Sequence, residues 1–210
     1  MKSIFITATN TDIGKTYTTI KLAKVLLRRG YKVGIFKPIE TGVVEDKPLD
    51  GIKLLKASKN KDISLDDVVP IKFTLPASPY VAKGDKKIDF KKIVNSYKRI
   101  KSNSDIVLVE GAGGLLVPVE ENFFMIDFIE LLNIDKTLLV TSNSLGSIND
   151  TLLSINLLKQ RDIDFIWAVN EFKESRENFE KVTLPFYKEV LYVDEVSLWI
   201  EGIISHYKIV

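Results

Sequence analysis

Ser3-Ile4-Phe5-Ile6-Thr7-Ala8-Thr9-Asn10-Thr11-Asp12-Ile13-Gly14-Lys15-Thr16 is the stretch whose reading decides the fold. Its apolar beginning has the pattern of a short buried strand. Its end, Gly14-Lys15-Thr16, leads into Ile20, Ala23, Leu26 and Leu27 at helical spacing. Strand, loop, Gly-Lys-Thr and helix is the context of a phosphate-binding loop. Backbone N–H groups at the start of the helix point at anionic oxygens, and the helix dipole favours negative charge there. Gly14 lets the backbone come close because no Cβ intervenes. Lys15 can reach the β- and γ-phosphates, and the Thr16 hydroxyl can ligate Mg²⁺. The strict pattern asks for glycine at position 9, where this chain has Thr9.

With 210 residues, the chain is long enough for one domain, 1–210, with a sizeable core. A net charge of +2 supplies no global basic field, which argues against nucleic acid as a partner. Many lysines have acids nearby, as in Lys59-Asn60-Lys61-Asp62, and read as solvated surface. There is no cysteine, so disulfides, thiolate metal sites and a cysteine nucleophile are excluded. No uncharged apolar run approaches the ~18 residues of a membrane span. Polar Thr7 to Asp12 arrives too soon for a signal peptide, so a cytoplasmic protein is expected. The single histidine, His206, stands four residues before the C-terminus and reads as surface. A Ser-His-Asp mechanism or a histidine-rich metal site is therefore not expected.

Outward from the loop, strands and helices alternate. The first strand covers about Ser3–Ala8. Its helix runs to about Arg29, with Gly30 as C-cap. A second strand, Lys32–Phe36, ends in Lys37-Pro38-Ile39-Glu40-Thr41-Gly42, at the strand edge where open α/β sheets bind ligands. After the charged loop Glu45–Pro48, a short helix carries Ile52, Leu54, Leu55 and Ala57, with Asp50 as a possible N-cap. Asp62–Phe73 reads as irregular, and Leu75 to Tyr80 as a loop. Ile88–Lys101 reads as an amphipathic helix with a solvated lysine face. Asp105–Val109 is aliphatic, as in a buried parallel strand, and ends in Glu110-Gly111-Ala112-Gly113-Gly114. An acid there is either a Mg²⁺-binding carboxylate or an exposed turn residue. Phe124–Leu132 reads as helix and Thr137–Thr141 as strand. Ser144 to Asn149 opens a helix that runs to about Gln160. Ser147 or Asn149 could merely cap it, yet its N-terminus is also a ready anion site. Ile163–Val169 is a strand ending in Asn170. Beyond it Glu171–Lys181 reads as helix or loop, Glu189–Val193 as a short strand and Val196–Ser205 as a terminal helix. The alternation predicts an α/β fold: a doubly wound, mainly parallel sheet with helices on both faces.

Four motifs in this order resemble the dethiobiotin synthetase family, of the deviant P-loop class. They are Thr9 to Thr16, Lys37 to Gly42, Glu110 to Pro118 (Glu-Gly-Ala-Gly-Gly-Leu-Leu-Val-Pro), and Leu145-Gly146-Ser147-Ile148-Asn149. The resemblance covers about positions 3 to 170. It implies the P-loop NTP hydrolase fold and an ATP-dependent ring closure of 7,8-diaminopelargonate with CO₂. A carbamate forms, ATP phosphorylates it, and the second amine expels phosphate to give dethiobiotin and ADP. The family's active-site lysine falls on Lys37, with Lys15 and Thr11 beside it. Asp12 falls near the family's acid by the diamine. The nucleotide contacts fall on Asp12, Ile13, Gly14, Lys15, Thr16 and Tyr17, on Glu110, Gly111, Ala112 and Gly113, and on Asn170. The Mg²⁺ positions fall on Thr16, Asp50 and Glu110, with Asp46 near enough to compete with Asp50. Thr11, Lys37 and Thr41 match substrate contacts. Gly146, Ser147 and Asn149 match the helix start that reads the substrate's far carboxylate across a homodimer interface.

Three positions depart from the family pattern. Ala8 stands in place of glycine and Tyr80 in place of histidine. Leu191-Tyr192-Val193-Asp194-Glu195 stands about where the family has a Gly-x-Ile-Pro segment against the base. An Asn amide both donates and accepts, so Asn170 alone does not choose the base, and weaker base selectivity is expected. A partition or division-site ATPase of the same class is the competing reading. Such proteins carry a further lysine early in the loop, where this chain has Thr9, Asn10 and Thr11. A cobyrinate-type amide ligase would normally bring a cysteine glutaminase, and a nucleotide-binding module without catalysis is a third alternative.

Overall fold

Residues 2–196 are described by the computed structural model. In chain order the elements are β1 (Ser3–Ala8), α1 (Lys15–Arg28), β2 (Val33–Phe36), β3 (Ile39–Glu40), α2 (Leu49–Ser58), α3 (Leu65–Val68), β4 (Ile71–Lys72), α4 (Pro79–Ala82), α5 (Phe90–Ser102), β5 (Ile106–Gly114), β6 (Pro118–Glu120), β7 (Phe123–Phe124), α6 (Asp127–Leu131), β8 (Lys136–Ser142), α7 (Ser147–Gln160) and β9 (Phe165–Asn170). Short helical turns follow between Lys173 and Tyr187.

The central sheet has the order β2-β5-β1-β8-β9, and every neighbouring pair is parallel. Buried on both faces, its strands read as unbroken aliphatic runs rather than alternating ones. Ile4, Phe5 and Ile6 of β1 and Val107 to Val109 of β5 are wholly buried. The side chains show helices on both faces. Phe36 of β2 packs its ring 5.5 Å from Tyr97 of α5. Its strand partner Val109 shares that face, so the next residue, Glu110, points to the other one. There Thr19 of α1 meets it. From β1 the chain first crosses to the β2 edge, β5 then fills the place between them, and β8 and β9 are added on the other side of β1. The loops after the central strands therefore open a crevice at the C-terminal rim, as the sequence predicts.

Several boundaries differ from the sequence reading. The strand expected at Asp105–Val109 continues as β5 to Gly114, so Glu110 lies inside a strand and not in an exposed turn. The stretch 62–73 contains α3 and β4, and β4 pairs in parallel with β3. Two-residue strands have no periodicity to read. Helix α6 is shorter than expected because the hairpin β6–β7 takes up the residues before it. The strand expected at Glu189–Val193 reduces to one parallel bridge, Val169 to Tyr192, followed by a 3₁₀ turn at Val193–Glu195. The cap of α1 meets expectation: Gly30 N–H reaches the Leu27 carbonyl and Tyr31 N–H that of Leu26, which is a Schellman turn. The terminal helix expected from Val196 and His206 itself lie outside the described residues, apart from Val196. No helix among the described residues is long and apolar enough to cross a membrane.

Candidate active site

A polar cavity of about 380 Å³ opens at the C-terminal rim of the sheet. Its floor is the loop between β1 and α1. Gly14 closes that loop at φ +100°, a conformation that disfavours any Cβ. A Cβ there would also lie 2.2 Å from Asn170 Nδ2, because the Asn170 amide crosses the loop to donate to the Ile13 carbonyl at 3.0 Å. Lys15, the first residue of α1, curls back and donates to the Asn10 carbonyl at 3.0 Å. Burial, and then repulsion from Lys37, pulls its pKa down to about 8.

The opposite wall carries the paired charges. Glu110, 0% exposed, accepts from Lys37 Nζ at 2.7 Å and the Thr16 hydroxyl at 2.9 Å on one oxygen. Its other oxygen accepts from the Thr19 hydroxyl at 2.8 Å. Lys37 is also 3.5 Å from Asp50 Oδ2. Burial opposes the Lys37 charge, but Glu110 and Asp50 more than offset it, so its pKa stands above the ordinary lysine value. Two cations, the carboxylates of Asp12, Glu40, Asp50 and Glu110, and the Thr16 hydroxyl thus face one small space. Such a set can hold an anion against Lys15 and Lys37 and a hard divalent cation against the oxygens.

The expected residues sort cleanly by place. Thr11, Asp12, Gly14, Lys15, Thr16 and Tyr17 line this cavity from the loop and from α1. Lys37 and Thr41, just past β2 and β3, Asp50 of α2, and Glu110, Ala112 and Gly113 of β5 line it from the other side. Ile13 does not line it, since its side chain packs against the core and its carbonyl meets Asn170. Gly111 does not line it either: the space beside it is filled by Phe5 and Met125. Asp46 sits in an exposed turn and pairs with Lys72 at 3.5 Å, away from the cavity. Asp50 is not the N-cap of α2. Pro48 holds that position without a side-chain bond, and Asp50 is in the first turn.

Asn170 belongs to a neighbouring pocket of about 720 Å³. Gly14 and Tyr17 border both pockets, so the loop joins them into one extended trough. The outer walls are Glu171 to Lys173, Arg176 and Tyr192 to Glu195. Lys21 and the Tyr17 hydroxyl both meet Asp194, tying this last segment to α1.

Gly146, Ser147 and Asn149 are at neither pocket. They start α7, with Gly146 as a left-handed N-cap that makes no side-chain bond. Ser147 and Asn149 therefore do not cap the helix. The Ser147 hydroxyl is buried without a hydrogen-bond partner. Leu145, before the helix, and Leu153, within it, are 75% and 62% exposed.

Sequence reasoning missed Thr19 and Glu40. Thr19 stands three residues after Thr16, hence on the same helix face, which was the available signal. Glu40 lines the cavity and accepts from the backbone N–H groups of Asp50 and Gly51 at 3.0 and 2.9 Å. Burial pushes its carboxyl above the ordinary value, against the pull of the Gly51 and Asp50 amides and of Lys37. Only its place in Lys37-Pro38-Ile39-Glu40-Thr41-Gly42 pointed to it.

A parallel sheet with a lysine-bearing loop after its central strand and a buried acid on the adjacent strand defines a protein of the P-loop nucleotide-binding class. A GTPase in apo form from Pyrococcus abyssi superposes with a TM-score of 0.54 at 13% identity, covering 99% of this chain and 85% of that one, and supports the fold. The family described as an AAA domain matches residues 2–188. The ATP-dependent dethiobiotin synthetase BioD of a Sulfurovum species is 47% identical over 195 residues, 90% of this chain and 91% of its own length. The enzyme of the same name from Wolinella succinogenes is 38% identical over 194 residues, 90% and 89% of the two chains. The chain belongs to the ATP-dependent dethiobiotin synthetase family, a family of ligases.

Proposed function

We propose that this protein, acting as a single P-loop domain, closes 7,8-diaminopelargonate and CO₂ into dethiobiotin at the expense of ATP. The observation that carries this reading is Lys37, a buried ammonium 2.7 Å from Glu110 that faces the same cavity as Lys15 of the phosphate loop. In the first step one substrate amine bonds to CO₂ and loses a proton, giving a carbamate. A carbamate oxygen then attacks the γ-phosphorus, and the bond to ADP breaks. Finally the second amine attacks the carbamoyl carbon and loses a proton, phosphate leaves with the C–O bonding pair, and the cyclic urea closes. Oxide is a poor leaving group and phosphate a good one, which is why ATP is needed.

Phosphoryl transfer asks the protein for position and for charge where charge develops. Lys15 and Lys37 bracket the transferred group from two sides. Thr11, Asp12 and Thr41 hold the diamine end. Thr16, Asp50 and Glu110 would hold Mg²⁺. One hydroxyl and two carboxylates, all hard oxygen ligands, suit a cation of this kind. The ion supplies neutralising charge on the phosphates. The loop amides and Asn170 hold the nucleotide. Asn170 gives one of its two amide hydrogens to Ile13, and its oxygen can accept from the exocyclic amine of a base. CTP carries such an amine as well as ATP, and we expect looser base selectivity than in typical members. Turnover with ATP alone, and none with CTP or GTP, would refute this.

The substrate's far carboxylate falls to α7 of a second copy. The unpartnered Ser147 hydroxyl, the first-turn N–H groups that follow Ser147 in a 14-residue helix (that of Ser147 meets the Ser144 carbonyl) and the exposed Leu145 and Leu153 support that homodimer. Analytical ultracentrifugation showing a fully active monomer would remove it. A cytoplasmic setting, where ATP is available, suits the activity and the absence of cysteine. The function itself is tested by incubating the protein with ATP, Mg²⁺, bicarbonate and diaminopelargonate and looking for dethiobiotin by mass spectrometry. The absence of product, with ATPase activity stimulated by DNA or lipid instead, would favour a partition-type switch.

A further inference from the structure

We propose that Glu40 is a positioning residue for the active site: by holding the first turn of α2, it sets where Asp50 stands. This rests on the reading of Asp50 as a Mg²⁺ ligand. A helix start leaves backbone N–H groups without partners inside the helix. Helix α2 has no side-chain cap at Pro48, and Glu40 supplies one from another element. Its two oxygens take the N–H groups of Asp50 and Gly51, one each. A carboxylate is also the charge that a helix N-terminus favours.

The anchor itself is held. Glu40 is buried in β3, β3 pairs with β4, and the Glu40 carbonyl accepts from Phe73 N–H at 2.9 Å. Gly51 completes the arrangement. A Cβ on Gly51 would lie 2.2 Å from Val69 Cγ2 and 3.4 Å from the Glu40 carboxylate, so only glycine lets the turn close this far. By contrast, the chain entering α2 is an exposed turn with Glu45 and Asp46 at φ +50° and +57°. The Asp50 side chain thus takes its position from the clamp behind it rather than from the loop before it. Its carboxylate stands 3.5 Å from Lys37 and faces the cavity.

Glu40→Gln keeps the shape, loses the charge and turns an amide donor toward a backbone N–H. The test is ADP binding by titration calorimetry, with Mg²⁺ and with EDTA. Mg²⁺-dependent strengthening should fall about tenfold in Glu40→Gln, while affinity in EDTA stays within about twofold. In an Asp50→Asn background the same change should add less than about twofold, because both act through one carboxylate. Gly51→Ala, which drives a Cβ toward Val69 with Glu40 intact, should weaken the Mg²⁺-dependent component in the same direction. Unliganded melting curves establish that each variant is folded. Equal losses with and without Mg²⁺, no loss, or full additivity with Asp50→Asn overturns the proposal. If wild-type binding ignores Mg²⁺, the metal-site reading fails along with it. Dethiobiotin formation is not the readout, so the proposed reaction and this inference fail separately.

Discussion

The two rims of the central sheet use the same residue types to opposite effect. Where the strands begin, three acids stand immediately before three strands. Asp105, before β5, accepts from Lys32 N–H at 2.7 Å. Asp135, before β8, accepts from the N–H groups of Lys2 and Ser3 at 2.7 and 2.8 Å and from the Ser3 hydroxyl at 2.9 Å. Asp164, before β9, pairs with Lys136. Each staples its strand to the start of the neighbouring one, beside water. Where the strands end, Lys37 and Glu110 are buried, and their remaining valence faces a cavity. Solvent makes the difference. Exposed pairs are screened and contribute little, whereas a desolvated charge is costly unless paired and acts strongly on whatever enters its space.

The contrast is most easily broken at Lys37. Lys37→Gln should cut dethiobiotin turnover ~10²–10³-fold, the loss of ~3–4 kcal/mol of transition-state charge stabilisation. ADP binding should be largely kept. Near-normal single-turnover rates would mean that the strand-end rim is as structural as the other. Asn170→Ala probes the same rim at the far end of the nucleotide. It removes the bond to Ile13 and the acceptor for the base, so the KM for ATP should rise about tenfold, roughly one or two hydrogen bonds' worth, with kcat little changed. An equal fall in kcat would place Asn170 nearer the chemistry than the trough suggests.

The smallest effect belongs to the strand-start rim. Burial works to raise the Asp135 carboxyl, but the hydrogen bonds from Lys2 and Ser3 outweigh it and hold its pKa below the ordinary value. The native state then binds fewer protons there than the unfolded state. The stabilisation is complete above the unfolded value near ~4 and is lost as pH falls through the lower native value. Asp135→Asn should cost about 1 kcal/mol at neutral pH, discounted for exposure, and flatten that part of the acid decline in melting temperature. Turnover per folded molecule should not change. A loss of catalysis without a loss of stability would erase the distinction between the rims.

How far the chain could be read in advance follows the same division. The loop from Thr9 to Thr16, the aliphatic run that leads to Glu110 and the turn at Gly30 are local patterns, and the structure has them close to where the residues suggest, although the strand runs on past Glu110 to Gly114. Asp50 was placed on the right helix but offered the wrong alternative role, because a first-turn acid and an N-cap acid look alike in one dimension. The β3–β4 pair and the β6–β7 hairpin escaped because strands of two or three residues carry no period. Glu40 escaped because a buried cap contributed from another strand leaves no spacing rule behind.

The residues by themselves determined the alternation of strand and helix, the phosphate loop after the first strand, and the lysine and acid at the ends of two later strands. Backbone geometry and side-chain periodicity are set by near neighbours, and they suffice for this much. Only the tertiary structure decided that Glu40 and not Asp50 caps α2, that Thr19 shares Glu110 with Thr16 and Lys37, and that Asn170 crosses to Ile13. Those contacts join residues 10, 91 and 157 positions apart. They exist because the sheet order places particular strand ends side by side, and a distance across a packed sheet is not written in any single stretch of chain.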